Sequence, residues 1–169
     1  MSGLRQIAAV RFAFRLCDLN HGEQTTMTGT RPFKRALDRL QTAGFRPTRQ
    51  RLGLARLLFE GEHRHVTAEQ LHTEAMGADL RVSLATVYNT LNQFTAAGLL
   101  REVVVEAGKS YFDTNTSDHH HFFLEGTGRL EDIPGDDVVV QHLPPAPPGT
   151  RIARVDVIVR LSAEQSEER

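Results

Sequence analysis

The chain is poor in cysteine and has no tryptophan. Cys17 is the single cysteine among 169 residues, and one thiol can form neither an intramolecular disulfide nor a zinc site built from several cysteines. The sequence therefore predicts a cytoplasmic protein. Any metal site must draw its ligands from histidines and carboxylates.

Long apolar runs are also absent. No run approaches the roughly 18 residues that a membrane helix needs, so no membrane partner is expected. Three arginines, Arg5, Arg11 and Arg15, interrupt the first segment, which therefore lacks the continuous apolar centre of a secretory signal. We expect residues 1–31 to be a disordered extension, with Met27 as the alternative start and residues 1–26 then upstream of it. Residues 162–169 are expected to be a disordered tail.

Neither sign of charge is in excess over the whole chain. Lys and Arg number 20 and Asp and Glu number 21, for a net charge of −1, which argues against a wholly basic surface or a long acidic tail. The two halves differ, because residues 31–112 carry a net +4 and residues 113–169 a net −6. This division favours a first domain that binds phosphate and a second that binds cations, although ordinary surface variation is the alternative explanation.

The first half has the spacing and the stop signals of helices. Apolar residues recur at intervals of three and four, capping residues precede them and glycines follow them. Thr67 with Gln70 is the pattern of a capping box. The predicted helices cover residues 32–43, 48–60 and 67–77 and the stretch that begins after Ser83. A β-hairpin is predicted over residues 99–112, and helices followed by a hairpin are typical of a winged helix. Residues 32–112 are therefore predicted to form a winged-helix DNA-binding domain.

The second half is predicted to contain little helix. Residues 121–124 and 128–133 form short strand-like runs, and a proline-rich connection leads to a predicted last strand over residues 151–161. One face of that strand is wholly apolar, with Ala153, Val155, Val157, Val159 and Leu161. Because three strands bury little surface alone, we expect residues 113–161 to complete their core in a homodimer. The expected fold class is α+β, with the winged helix followed by a small α/β dimerisation domain.

The fourth predicted helix carries residues suited to the major groove. Small side chains permit close approach, Ser and Thr can bond phosphates or bases, and a Tyr ring can pack on thymine methyls. Asn89 can make a bidentate contact to adenine. The predicted DNA-contacting residues are Ser83, Ala85, Thr86, Tyr88 and Asn89 on this helix, and Arg46, Thr48, Arg49, Arg51 and Lys109 toward the phosphates. An ordinary solvated helix face is the alternative interpretation.

Three consecutive histidines, His119, His120 and His121, form the strongest local chemical feature. In an extended segment alternate residues share a face, so His119 and His121 should point one way and His120 the other. Two different sites can therefore exist there. Asp113 can add a carboxylate, and His65 or His63 can approach from the loop before Thr67.

Imidazole together with carboxylate suits zinc, iron, nickel or manganese. Haem iron also accepts histidine as an axial ligand, and Phe122 and Phe123 offer the apolar surface that a porphyrin needs. We therefore predict a metal or haem site at the histidines, against the alternative of an exposed loop without a ligand.

The combined pattern resembles the ferric uptake regulator (Fur) family. The resemblance runs in order through about residues 33–161, and its motifs are RPTRQR (46–51), HVTAEQL (65–71), LATVYNTLNQF (84–94), GKSYFD (108–113) and the histidine cluster. Within the family, DHHHFF (118–123) and the last predicted strand are similar to the iron response regulator (Irr) branch.

This resemblance implies a homodimeric, metal-sensing transcription factor that binds an operator in double-stranded DNA. It implies metal ligands at His65, Asp113 and His120, and haem or a second metal at His119, His120 and His121. Most family members carry a Cys-x-x-Cys zinc motif after the histidines. Here that stretch is Glu125–Gly128, so no structural zinc held by four cysteines is expected.

Two regulatory mechanisms and two other classes of function follow as hypotheses. The first is a repressor of iron and haem homeostasis genes that responds to haem or iron at the histidine cluster. The second is a Fur-type repressor activated by divalent Fe, Mn or Zn without haem. A zinc hydrolase needs a positioned acid or base that the sequence does not offer, so we predict that the chain is not an enzyme. A winged helix whose histidines only bind a partner protein is the last alternative.

Overall fold

A computed structural model describes residues 33–106 and 108–162 of the 169-residue chain. The expectations for residues 1–31, for Cys17 and for the tail after residue 162 lie outside the described residues.

Within the described residues, the first part consists of four α-helices and three strands. In chain order they are α1 (Lys34–Thr42), α2 (Arg49–Phe59), β1 (His65–Val66), α3 (Ala68–Gly77), α4 (Leu84–Ala96), β2 (Arg101–Glu106) and β3 (Lys109–Asp113). The predicted helices and hairpin are confirmed, with small differences at their ends. The hairpin turn includes Gly108, whose φ of 80° is a left-handed conformation that glycine adopts without strain.

Side-chain caps begin three of the helices where the sequence predicts them. The Thr67 hydroxyl accepts a hydrogen bond from the Gln70 N–H at 3.2 Å, and the Gln70 side chain accepts one from the Thr67 N–H at 2.9 Å. Thr48 and Ser83 cap α2 and α4 through their hydroxyls in the same way. These bonds satisfy N–H groups that have no partner within the helix.

Helix α4 packs into the main apolar core through one face. Val87, Leu91 and Phe94 are fully buried, as their spacing predicts. The Phe94 ring lies 5.6 Å from the Phe45 ring and 6.0 Å from the Phe59 ring, measured between centroids. The opposite face of α4 is thereby held toward solvent.

Strand β1 is a two-residue element that the sequence did not predict. It pairs antiparallel with β3 and brings His65 opposite Asp113, while β2 brings Arg101 opposite Asp113 from the other side. The sheet order is β1-β3-β2. Asp113 therefore lies in the central strand of this sheet with a neighbour on each side.

A second sheet follows, with strand order β5-β4-β6. Its strands are β4 (His119–Leu124), β5 (Arg129–Pro134) and β6 (Ile158–Leu161), and β6 runs parallel to β4. The predicted boundary between residues 112 and 113 falls just before Asp113, the last residue of β3, and the division into domains stays a prediction.

The predicted last strand is much shorter in the structure. The alternation over residues 151–161 predicted a strand of that length, but only Ile158–Leu161 pairs with β4. Before this point the Val157 N–H donates to the His120 ring at 3.4 Å, and side chains bind the Asp156 carboxylate. The Val157 carbonyl accepts one backbone hydrogen bond, from the His121 N–H at 3.0 Å, but no strand forms over residues 151–157, so the prediction of a strand there was wrong.

The two sheets pack against each other through a small apolar cluster. Its members are Val103, Val105, Tyr111, Phe123 and Leu130, with Ile158 packed against them. The second sheet thus buries one of its faces against the hairpin of the same chain, and completion of its core by a partner subunit stays a prediction.

Because α4 packs into the main apolar core, truncating a side chain on its buried face should strongly lower the stability of the protein. Leu91→Ala should destabilise the protein by about 2–5 kcal/mol, because it removes buried apolar atoms and leaves a cavity. Urea unfolding measures this change. Met76→Ala, at a side chain that is 51% exposed on α3, is the control and should change the free energy of unfolding by less than about 0.5 kcal/mol. Equal effects of the two variants would contradict this description of the core.

Candidate metal centre

The alternation along β4 divides the three histidines between its two faces, as the sequence predicts. His119 and His121 point toward the first sheet, and the His121 side chain is fully buried. His120 is also buried but points the other way, where its Nδ1 accepts the hydrogen bond from the Val157 N–H.

Five side chains from four strands converge on the inner face of β4. His65 comes from β1, Asp113 from β3, His119 and His121 from β4, and Asp132 from β5. Each contributes one potential ligand atom, and all five atoms lie within 4.8 Å of one another.

Three imidazole nitrogens surround the carboxylate of Asp113. Its Oδ2 lies 2.9 Å from Nε2 of His119, 3.6 Å from Nε2 of His121 and 3.7 Å from Nε2 of His65. The Oδ1 of Asp132 lies 2.9 Å from Nε2 of His65. Nε2 of His119 and Nε2 of His121 are 3.0 Å apart. The five groups thus form one compact centre, which we call the metal centre.

Three buried atoms of these side chains make no hydrogen bond of acceptable geometry among the described residues, despite the short distances, namely Nε2 of His65, Oδ2 of Asp113 and Nδ1 of His121. A buried polar atom without a partner is unfavourable. His119 Nδ1 lies 3.0 Å from the Ser117 carbonyl, and the hydrogen bond it donates there leaves Nε2 as the free electron-pair donor. Three nitrogens and two carboxylates fit a divalent zinc, iron or manganese ion.

The protonation states also suit a cation. Burial lowers the pKa of His65 below its ordinary 6.5, although the charges of Asp113 and Asp132 oppose this. Burial alone would raise the pKa of Asp113, but the nearby His121 ring and the hydrogen bond from the Asn115 N–H outweigh it, and the net pKa lies below the ordinary value. At neutral pH His65 is therefore neutral and Asp113 is ionised.

The structure brings together only part of the predicted ligand sets. His65 and Asp113 meet, but His120 lies on the opposite face of β4 and does not join them. The three histidines predicted to hold haem are likewise divided between two faces, so one porphyrin cannot meet all three.

The sequence pattern does not single out Asp132 as a ligand. This residue reaches the metal centre because β5 pairs with β4 in a register that places Asp132 opposite His121. The sequence does show an acidic residue within the predicted strand that follows the histidines. To identify it as a ligand, one also needs to know which residue of β4 it pairs with.

The predicted DNA-reading residues lie at or near the exposed face of α4. Ala85, Tyr88 and Asn89 are exposed, and Thr86 is half-buried. The Tyr88 hydroxyl donates to the Glu69 carboxylate at 2.5 Å, and this bond raises the pKa of Tyr88 and lowers that of Glu69.

The predicted phosphate-contacting residues fall into two groups. Arg46 and Arg49 are exposed, and the Thr48 hydroxyl is used as the α2 cap. Arg51 is held by the Gln93 side chain at 2.7 Å. Lys109 packs its ammonium group 5.5 Å from the centre of the Phe123 ring, so it faces the second sheet rather than the turn of the hairpin.

In the part of the chain that the structure describes, the helices are too short and too polar to cross a bilayer.

Comparisons with known proteins agree on one family. The family model described as the ferric uptake regulator family matches residues 42–157. The ferric uptake regulation protein of Vibrio cholerae is 36% identical over 104 residues, which cover 61% of this chain and 69% of that protein. The peroxide operon regulator of Bacillus subtilis is 37% identical over 110 residues, which cover 64% of this chain and 75% of that protein.

Solved structures share the fold. The ferric uptake regulator from Pseudomonas aeruginosa with manganese superposes with a TM-score of 0.60 at 25% identity, over 77% of this chain and 98% of that one. The Vibrio cholerae ferric uptake regulator superposes with a TM-score of 0.58 at 23% identity, over 75% of this chain and 98% of that one.

The ligand set predicts that acid weakens metal binding. Metal ions require neutral imidazoles, so affinity for Mn(II) should fall by about tenfold or more between about pH 7.5 and about pH 5.5. For His65 this loss should begin below the ordinary 6.5, because burial lowers its pKa. Calorimetric titration with Mn(II) at several pH values measures the effect. An affinity that is level across this range would contradict histidine ligation.

Proposed function

The chain belongs to the ferric uptake regulator family, and from this premise we propose that a divalent metal ion at the metal centre controls its binding to operator DNA. Members of this family are metal-responsive transcription regulators and not enzymes, so the chain is a transcription regulator.

The observation that carries the proposal is the position of the metal centre between the two sheets. His65 and Asp113 belong to the sheet of the winged helix, whereas His119, His121 and Asp132 belong to the second sheet. A bound divalent cation would supply positive charge to the two carboxylates and hold ligands from both sheets at one point. With the cation bound, the two sheets would favour one arrangement relative to each other. This preference would couple the metal centre to α4, the helix predicted to read DNA.

The exposed face of α4 supports the DNA-binding part of the proposal. Tyr88 and Asn89 present groups that can contact base edges or thymine methyls, and Arg46 and Arg49 are free to approach phosphates.

The second half supports a homodimer. Several large apolar side chains after β5 are exposed in the single chain, and a partner subunit would cover them. They are Val139, Val140, Leu143, Ile152 and Leu161. Two winged helices in one dimer would read two half-sites of an operator.

Haem at His120 is a second candidate signal. A groove of about 560 Å³ lies beside this histidine, with Val138, Val140 and Val155 among its apolar walls and Arg154 at its edge. Histidine can bind haem iron, and apolar walls suit the porphyrin. This version of the haem hypothesis uses His120 alone, because His119 and His121 lie in the metal centre.

The proposed function predicts that Mn(II) strengthens DNA binding through the metal centre. Duplexes selected from a random library with Mn(II) present should bind at least about tenfold more tightly with the metal than without it, the range of an ordinary coupling between two sites. Fluorescence anisotropy measures this ratio. His121→Ala should abolish the stimulation, and His142→Ala, at an exposed histidine, is the matched control and should retain it.

Substitution of a predicted DNA-contacting residue should lower DNA affinity without changing the effect of Mn(II). Asn89→Ala should weaken binding to the selected duplex about tenfold, with or without Mn(II), since it removes a base contact and no metal ligand. Unchanged stimulation in His121→Ala, or a selection that returns no preferred sequence, would contradict the proposed function.

The haem hypothesis has its own test in the Soret absorbance of metal-free protein titrated with haem. Binding at His120 predicts that His120→Ala loses saturable binding, whereas the double variant of His119→Ala and His121→Ala keeps it. Equal binding in both variants, or none in the wild type, would exclude haem at His120.

A further inference from the structure

Arg101 is a buried arginine beside the metal centre. It lies on β2 directly opposite Asp113, and only 8% of its surface is exposed. Its guanidinium leaves its own sheet and reaches the second one, where Nη1 donates to the His119 carbonyl at 3.0 Å. Nη2 donates to the Asp156 carboxylate.

The contact partners of Arg101 surround the start of β4. Asp156 also accepts a hydrogen bond from Nε of Arg154 at 2.7 Å, and Arg154 lies 3.6 Å from the Asp118 carboxylate. The Arg101 guanidinium thus connects strand β2 to the start of β4 and to the segment around Asp156 that precedes β6.

His119 is consequently held at two points. Arg101 binds its backbone carbonyl, and the Ser117 carbonyl binds its Nδ1. The remaining ring atom, Nε2, lies 2.9 Å from Oδ2 of Asp113 in the metal centre.

We propose that Arg101 is a positioning residue of the metal centre, which fixes His119 so that its Nε2 is available to a divalent cation. The inference rests on the proposed function, because it assumes that the centre binds metal. A charge-assisted hydrogen bond holds a group more firmly than a neutral one, and groups that orient a metal-bound histidine tune the affinity of the site.

Arg160 provides a matched control within the same chain. It also crosses between the sheets, because it lies on β6 and its guanidinium donates to the Val105 carbonyl of β2. Its acidic neighbours are Glu106 at 3.8 Å and Glu125 at 3.5 Å. Val105 is four residues along β2 from Arg101, a separation of about 13 Å at the usual rise of a strand. Arg160 thus makes the same kind of contact away from the metal centre.

The test compares Arg101→Gln with Arg160→Gln by calorimetric titration of the full chain with Mn(II). Arg101→Gln should raise the Kd for Mn(II) about tenfold or more, the effect expected when a group that orients a ligand is lost. Arg160→Gln should leave this Kd within about twofold of wild type, even if both variants lower the stability of the metal-free protein in urea. The visible spectrum of the Co(II)-loaded protein should change in Arg101→Gln only, since it reports the ligand geometry.

Arg101→Lys separates charge from geometry. Lysine keeps the positive charge but lacks the planar group that reaches two acceptors at once, so its Kd for Mn(II) should lie between those of the wild type and Arg101→Gln. A complete rescue by lysine would overturn the role assigned to the paired contacts.

The remaining outcomes distinguish this inference from the proposed function. If the wild type binds no Mn(II), both the proposed function and the role of Arg101 are wrong. If the wild type binds Mn(II) and either Arg101→Gln equals it or Arg160→Gln is equally impaired, only the role of Arg101 is wrong. If Arg101→Gln fails to fold by circular dichroism, Asp156→Asn decides, with a rise in Kd of about threefold supporting the proposal and an unchanged Kd overturning it.

Discussion

The buried carboxylate of Asp113 is the constraint on which the arrangement of the two sheets depends. Its side chain is fully buried, and its Oδ2 has no hydrogen-bond partner among the described residues. An ionised group in such a place is stable only beside compensating donors or a cation. Three histidines approach this oxygen from β1 and β4, so the position of Asp113 links the packing of the sheets to the chemistry of the metal centre.

The sequence was sufficient where the signals are local. Capping residues and apolar spacing predicted the helices, and the alternation along an extended segment separated His120 from His119 and His121. The pairing between strands was harder to predict from the sequence than the helices. Strand β1 has two residues and therefore no periodicity, and Asp132 joins the centre only through the register of β5 with β4. The alternation of residues 151–161 predicted an apolar face whose members are half-buried or exposed, whereas Ile158 of the opposite face packs against the cluster between the sheets. Alternation alone does not show whether a partner strand is available.

The ligand set proposed from the geometry differs from the set implied by the resemblance. The resemblance led to His65, Asp113 and His120, whereas the structure places His119, His121 and Asp132 beside His65 and Asp113. Because the five donors belong to both sheets, their convergence gives a physical reason for coupling between a metal ion and the DNA-reading helix. Arg101 adds a further link between the sheets, since it donates a hydrogen bond from β2 to the backbone carbonyl of His119.

In the proposed function, one divalent ion binds among these five side chains. Anomalous X-ray diffraction from crystals of the full chain grown with Mn(II) tests it most directly. We expect a manganese peak enclosed by His65, His119 and His121 together with the carboxylates of Asp113 and Asp132. A peak at His120, or a manganese site that leaves Asp113 without a metal bond, would contradict it.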